Sequence, residues 1–220
     1  MLNNFVINRG GYSEHNYSLS LIRFISLIMI ITCHIMQHEN FILAWWFNVG
    51  VQIFLCISGY LYGQKNIGEI TSFYGKRFLK ILVPYYIVFL IAGILEVLFF
   101  RTVFSITRFG SGLVCRTTIA GGGHLWFVPV ILFCYVLTPI LGAYRDKYIK
   151  NTQSLWIGTI LAVVVVSIFG GLFSSYFNPA WLSCYVIGYA LGINEDKKLI
   201  KFRYLLFLFG VLAIIGKNPC

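Results

Sequence analysis

Residues 19–36 read LSLIRFISLIMIITCHIM, an unbroken apolar stretch with one arginine and one histidine as its basic side chains. A run of this length and character is close to the ~20 residues that a helix needs to cross the hydrocarbon core. Similar runs recur along the chain, at roughly 45–63, 81–100, 124–143, 154–173, 178–193 and 204–216. None shows the two-residue alternation of a membrane barrel strand. The expected class is therefore all-α, a polytopic transmembrane helix bundle of about seven spans. Composition agrees: 59% of the 220 residues are hydrophobic and only 11% charged, with a mean hydropathy of +0.81. A soluble domain carries about 25% charged residues.

The net charge of +10 raises the question of nucleic acid. Its placement answers it. With the N-terminus cytoplasmic, thirteen of the seventeen basic residues fall on or near the inner side, Arg9, Lys65, Lys147 and Lys150 among them. Arg101, Arg108, Arg116 and Lys217 fall outside. That asymmetry is the positive-inside signature of a membrane protein, so no nucleic-acid partner is expected. The location expected is the plasma (inner) membrane, multi-pass, with membrane lipids as surroundings. Residues 1–18 are polar and mixed, lack the features of a cleaved secretory signal, and read as a cytoplasmic N-terminal tail. Residues 19–220 read as one membrane-embedded domain. Six scattered cysteines show no zinc-like spacing. Cys33, Cys56, Cys134 and Cys184 sit inside apolar runs and read as small buried hydrophobes, and no metal is expected.

Arg23 and His34 are the most informative pair. Eleven helical steps turn about 1100°, roughly 20° past three full turns, so both side chains point to one face, about 16 Å apart along the axis. Arg23 alone reads equally well as a residue snorkelling to the inner headgroups, and His34 alone as a hydrogen-bonded interface histidine. Their shared face weakens both readings, because ionisable groups within a span face protein or a wet cavity. Neutral histidine in a dry site is suited to accept a proton from a hydroxyl, and arginine to hold a phosphate or acyl carbonyl.

Other residues invite two readings each. Lys76, Arg77 and Lys80 cluster before the third run. They are topology anchors or a dock for the phosphates of a cytoplasmic nucleotide. Pro84 beyond them marks a kink or a restart of the helix. Gly50, Ser58, Gly59 and Gly63 in the second run suit close helix packing, with Ser58 as an acyl-accepting nucleophile the lesser reading. His124 and Trp126 fall where the outer interface should be, as belt residues or acceptor-site groups. Glu96 pairs with Arg101 or lines a polar cavity.

Four ordered segments resemble the acyltransferase-3 family of multi-spanning membrane acyltransferases. Arg23 and His34 match its Arg-x10-His pair. VGVQIFLCISGYLYG is similar to its G-V-x-x-F-x-x-S-G-[FY] pattern through Gly50, Phe54, Ser58, Gly59 and Tyr60. KRFLKILVPYY resembles its third-span R-x-x-R-[IL]-x-P-x-Y stretch, and GHLWFVPVILFCYVLTP its later H-x-W-F … Y … P segment. The likeness covers about residues 17–192. Ser20 stands where many members have an acidic residue, and Lys80 where the motif has a second arginine. Family domains usually have about ten spans, which makes a C-terminally incomplete domain the expectation.

The resemblance implies O-acetylation, a polysaccharide or cell-envelope modification. An acyl group, most often acetyl, passes from cytoplasmic acyl-CoA to a hydroxyl of an extracytoplasmic glycan or lipid-linked sugar. Acetyl-CoA is then a donor substrate, and no cofactor stays bound. The roles implied are His34 as general base or transient acyl carrier and Arg23 as the group orienting the donor. Lys76, Arg77 and Lys80 would meet the CoA phosphates, and His124, Trp126 and Glu96 the acceptor. Three other readings stand beside it: a truncated inactive acyltransferase, a transporter or flippase of a polar substrate, and a non-catalytic interaction protein.

Overall fold

The computed structural model describes residues 17–100, 106–116, 125–174 and 177–193. They form helices α1 (Tyr17–His38), α2 (Ala44–Phe47), α3 (Val49–Gly63), α4 (Ile70–Phe100), α5 (Ile106–Leu113), α6 (Phe127–Tyr148), α7 (Thr152–Leu172) and α8 (Pro179–Ile193). No strand occurs among the described residues. Five stretches are long and apolar enough to cross a membrane: α1, α2 with α3, α4, α6 and α7. α8 is a shorter apolar helix. Six of the seven expected runs are thus helical. The seventh, 204–216, lies outside the described residues, as do most of the 1–18 tail and His124.

The surface is inverted relative to a soluble domain. Ile94 on α4 and Ile160 on α7 are 58% and 65% exposed, because hydrocarbon is as good a solvent for them as the core. Ser26, Thr138 and Arg145 are buried instead. In lipid, contact of small residues rather than hydrophobic exclusion brings helices together. The most extensive helix pair, α3 with α8, shows why. Gly59 and Gly63 on α3 face Gly188 and Gly192 on α8. A β-carbon at any of the four would overlap a backbone carbonyl of the opposite helix.

These contacts fix the directions of the chain. Cys56 meets Gly188 and Tyr60 meets Gly192, so α3 and α8 run parallel. Gly50 lies against Ser26, Met29 and Ile30 of α1. Tyr74 of α4 donates its hydroxyl to the Val136 carbonyl of α6 at 3.2 Å, while Tyr85 and Phe89 pack with Val128 and Leu132, so these two helices run antiparallel. Ser167 meets Ser183 at 3.2 Å and Gly170 meets Pro179, making α7 and α8 antiparallel. The start of α1 and the 64–69 and 149–151 turns therefore share one end of the bundle. Residues 39–43, α5 and 173–174 lie toward the other. At the first end Asn151 starts α7: its side chain accepts from the Ser154 N–H at 2.7 Å, and Ser154 Oγ accepts from the Asn151 N–H at 3.1 Å. This reciprocal cap satisfies two donors that a helix start would otherwise leave unpaired.

A direct test uses two exposed loop positions in a background without native cysteines. A membrane-impermeant thiol reagent added to intact cells is expected to label Ser174→Cys and spare Gly68→Cys until the cells are opened. Equal labelling of both would overturn the alternation.

Two expectations change. The third span begins earlier than drawn: the basic stretch before residue 81 is helical from Ile70. Pro84 sits inside this helix and not at a restart. At 31 residues α4 is about 46 Å long, well beyond a ~30 Å hydrocarbon core. Between the third and fourth apolar runs, where Arg108 and Arg116 were expected on the outer side, the chain forms α5. Tyr85 and Tyr86 hold its end by donating to the Gly112 and Leu113 carbonyls at 2.6 and 2.9 Å.

Candidate functional site

The inward face of α1 carries Leu19, Arg23, Ser26, Ile30, Cys33 and His34, all buried or half-buried. The neighbours Phe24 and Ile35 are 59% and 61% exposed. Arg23 and His34 therefore do share the face that α1 turns to the protein. The helix backbone keeps them about 16 Å apart along the axis. Ser26 Oγ donates to the Arg23 carbonyl at 2.8 Å, a local bond that leaves the guanidinium to reach across to α3.

That guanidinium lies 5.1 Å from the Phe54 ring centroid. Arg77, from α4, lies 5.4 Å from the Tyr62 centroid and 6.0 Å from that of Phe73. Tyr62 meets Phe73 and Tyr135 edge to face, with centroids 5.7 and 5.8 Å apart. Both guanidiniums are within electrostatic range of the Tyr62 and Tyr135 phenols. Two arginines from different spans thus lie at one aromatic box built by α3, α4 and α6, Arg77 against its rings and Arg23 beside it over Phe54. A cation over a ring gains about 0.5–2 kcal/mol, enough to hold a guanidinium in place but not to neutralise it. His38 pairs with Glu39 and Arg145 with Asp146, whereas Arg23 and Arg77 are matched to no carboxylate among the described residues. A box with two positive charges and phenol donors favours an anion, or an oxygen on which negative charge develops.

A second aromatic chain leads away from Arg23 toward the opposite end of the bundle. Phe54 meets Phe127 at 5.7 Å, Phe127 meets Trp126 at 5.9 Å, and Trp126 stacks on Trp181 at 4.3 Å. Trp126 is half-buried in this stack.

The remaining residues singled out by sequence fall as follows. Lys76 and Lys80 are exposed on α4 and are not brought into the box with Arg77. Glu96 is 8% exposed near the far end of α4, about 28 Å along the helix from Arg77. Arg101, weighed as its partner, is outside the described residues, as is His124. Ser58 is buried and donates to the Phe54 carbonyl at 2.8 Å, which fits the packing role better than a nucleophile. The described residues hold no group of three metal-ligating side chains.

Sequence reasoning missed Tyr62, Phe73 and Arg145. Tyr135 was noticed only as one letter of a motif. Arg145, counted as a topology anchor, is 5% exposed and bonds to the α3–α4 turn. Its one visible signal was a position level with an apolar helix end, which any anchor shares.

The chain matches the family model described as an acyltransferase domain over residues 16–216. The match extends past the 17–192 stretch that carries the motifs. No curated protein and no solved structure matches the chain.

Proposed function

The chain belongs to the acyltransferase-3 family of membrane acyltransferases, and from that premise we propose that it moves an acetyl group from cytoplasmic acetyl-CoA to a hydroxyl of an extracytoplasmic glycan or lipid-linked sugar. The observation that carries this reading is the position of Arg77 against the Tyr62–Tyr135 box with Arg23 beside it. The box lies toward the end of the bundle shared by the start of α1 and the 64–69 turn. That end gathers most of the basic residues among the described ones, and by the positive-inside rule we take it as cytoplasmic. The membrane is the plasma (inner) membrane.

On this reading the donor enters from the cytoplasm. Lys76 and Lys80, exposed on α4, draw its phosphates toward Arg77 by charge. Arg23 sits one level deeper and steadies the pantetheine arm. About 16 Å of helix separates it from His34, so it does not hold the carbonyl that reacts beside His34. The acceptor arrives from the other side, past the Trp126–Trp181 stack, with His124 and Glu96 among its contacts. His34 takes the proton from the acceptor hydroxyl. The oxygen attacks the thioester carbonyl carbon, the C–O bond forms and the C–S bond breaks. Coenzyme A leaves as the thiolate and recovers the proton from the imidazolium. No bound cofactor or metal is required by these steps.

Donor binding is the direct test. Arg77→Ala in the purified protein is expected to weaken acetyl-CoA binding by about 10- to 100-fold, the effect of losing one charge-assisted contact. Calorimetry with acetyl-CoA checks it. An unchanged affinity would return Arg77 to the status of a membrane anchor stacked on two rings.

A further inference from the structure

Arg145 ends α6 on the same side as the box, yet it does not behave like its neighbours. Lys147, two residues on, is exposed and lies over the Tyr148 ring at 5.1 Å. Arg145 is 5% exposed, and its guanidinium is spread over four acceptors. Nε donates to Asp146 Oδ1 at 2.9 Å and Nη2 to Asn66 Oδ1 at 2.9 Å. Nη1 reaches the Gly63 and Lys65 carbonyls, each at 3.4 Å. A planar fork of fixed donors is the side chain best suited to hold several acceptors at once.

Three of those acceptors belong to the end of α3 and the turn that follows. Gly63 closes α3, so its carbonyl is among those left without an intrahelical donor. It also carries part of the negative end of the helix dipole, and a buried guanidinium answers both. On its other side Gly63 is pressed against the Tyr189 carbonyl and Gly192 of α8. The residue is thus fixed between Arg145 and α8. Tyr62 immediately precedes it, and the 64–69 turn leads straight to Phe73. Tyr62 and Phe73 are the two rings on which Arg77 lies.

We infer that Arg145 is a positioning residue for the donor site: by holding Gly63, Lys65 and Asn66 it sets the Tyr62 and Phe73 rings that aim the Arg77 guanidinium. The inference rests on the acetyl-CoA reading above. It makes the 64–69 turn a part of the donor site that touches no donor. It also separates Arg145 from the acyl end, since the path to Arg77 does not pass through His34.

The full chain, purified in detergent or reconstituted in vesicles, tests this with acetyl-CoA as the probe. Arg145→Lys keeps the charge and loses the fork. It is expected to raise the Kd and KM for acetyl-CoA about tenfold, the scale of one lost charge-assisted hydrogen bond. Its kcat at saturating donor should stay within about twofold, because an interaction used equally in ground and transition states moves KM alone. Asn66→Ala removes a single leg of the clamp from an exposed residue, so it reports even where the lysine variant fails to fold. A weaker rise in KM, about threefold, is expected from it. In the cycle with Tyr62→Leu the two losses should not add, since both act through Arg77. Unchanged donor affinity in folded Asn66→Ala and Arg145→Lys would overturn the inference, and so would additive losses with Tyr62→Leu. If the unaltered protein has no affinity for acetyl-CoA, the donor reading itself fails and this inference falls with it. Wild-type binding with insensitive variants sinks the positioning role alone.

Discussion

On the proposed acetyltransferase reading, glutamine in place of His34 is expected to lower acetyl transfer by about 10²–10⁴-fold, the range lost with a positioned acid–base group, while the protein still inserts and accumulates. The expectation begins with geometry. His34 is half-buried on the one face of α1 that also carries Arg23, and the lipid-facing positions beside it are apolar. An unprotonated imidazole on that face can accept a proton from a hydroxyl. Glutamine is close to isosteric and still hydrogen-bonds, but it cannot take a proton at neutral pH. It therefore removes the chemistry and spares the packing, which alanine would not. Donor affinity should change little, because the contacts proposed for the donor are elsewhere: Arg23 lies about three turns along α1 from His34, and Arg77 is on α4. The measurement is glycan O-acetylation in cells at matched protein levels, with acetyl-CoA binding to the purified variant beside it. Substantial acetylation by the glutamine variant would sink the general-base role and leave Arg23 and His34 as residues that merely line the helix interface.

What the chain discloses unaided follows from the range over which each signal acts. The presence of each described span and the inward face of α1 are properties of one helix, and apolar run length and the 3.6-residue period make them legible. The first turns of α4 were hidden because KRFLK looks like a loop when counted by hydropathy. In the fold Arg77 is accommodated by the rings of Tyr62 and Phe73, and the lysines stay exposed, so the helix runs through. The box itself needs Arg23, Tyr62, Arg77 and Tyr135 from four separate spans. No spacing within one span records such a meeting. Arg145 shows the same limit from another side. Its burial depends on the α3–α4 turn arriving 80 residues earlier in the chain, at Lys65, to meet it. The second-run glycines were legible as packing residues, but Gly188 and Gly192 as their partners were not, since register between helices is set by shape alone.

That register makes the second large effect. Gly188→Ala is expected to destabilise the fold severely, although alanine is the better helix former by about 1 kcal/mol. The added methyl would overlap the Cys56 carbonyl oxygen. A backbone carbonyl cannot rotate aside as a side chain does, so α3 and α8 must separate along a pair of facing glycine stripes. Overpacking of this kind costs about 1–3 kcal/mol and occasionally more, and here nothing flexible can absorb it. A leucine at 188 should yield no folded protein. Gly75 provides the opposite case on the same molecule. It lies within α4, it is exposed, and a β-carbon there meets nothing within 4 Å. Gly75→Ala should therefore be neutral or slightly stabilising. Thermal midpoints of the two purified alanine variants, read side by side in one detergent, decide the matter. Gly188→Ala with a midpoint equal to that of Gly75→Ala would mean that α3 and α8 do not approach to backbone contact. The consequence would reach the site. α3 supplies Phe54 beneath Arg23 and Tyr62 beneath Arg77, so the distance between these two helices sets where both guanidiniums rest.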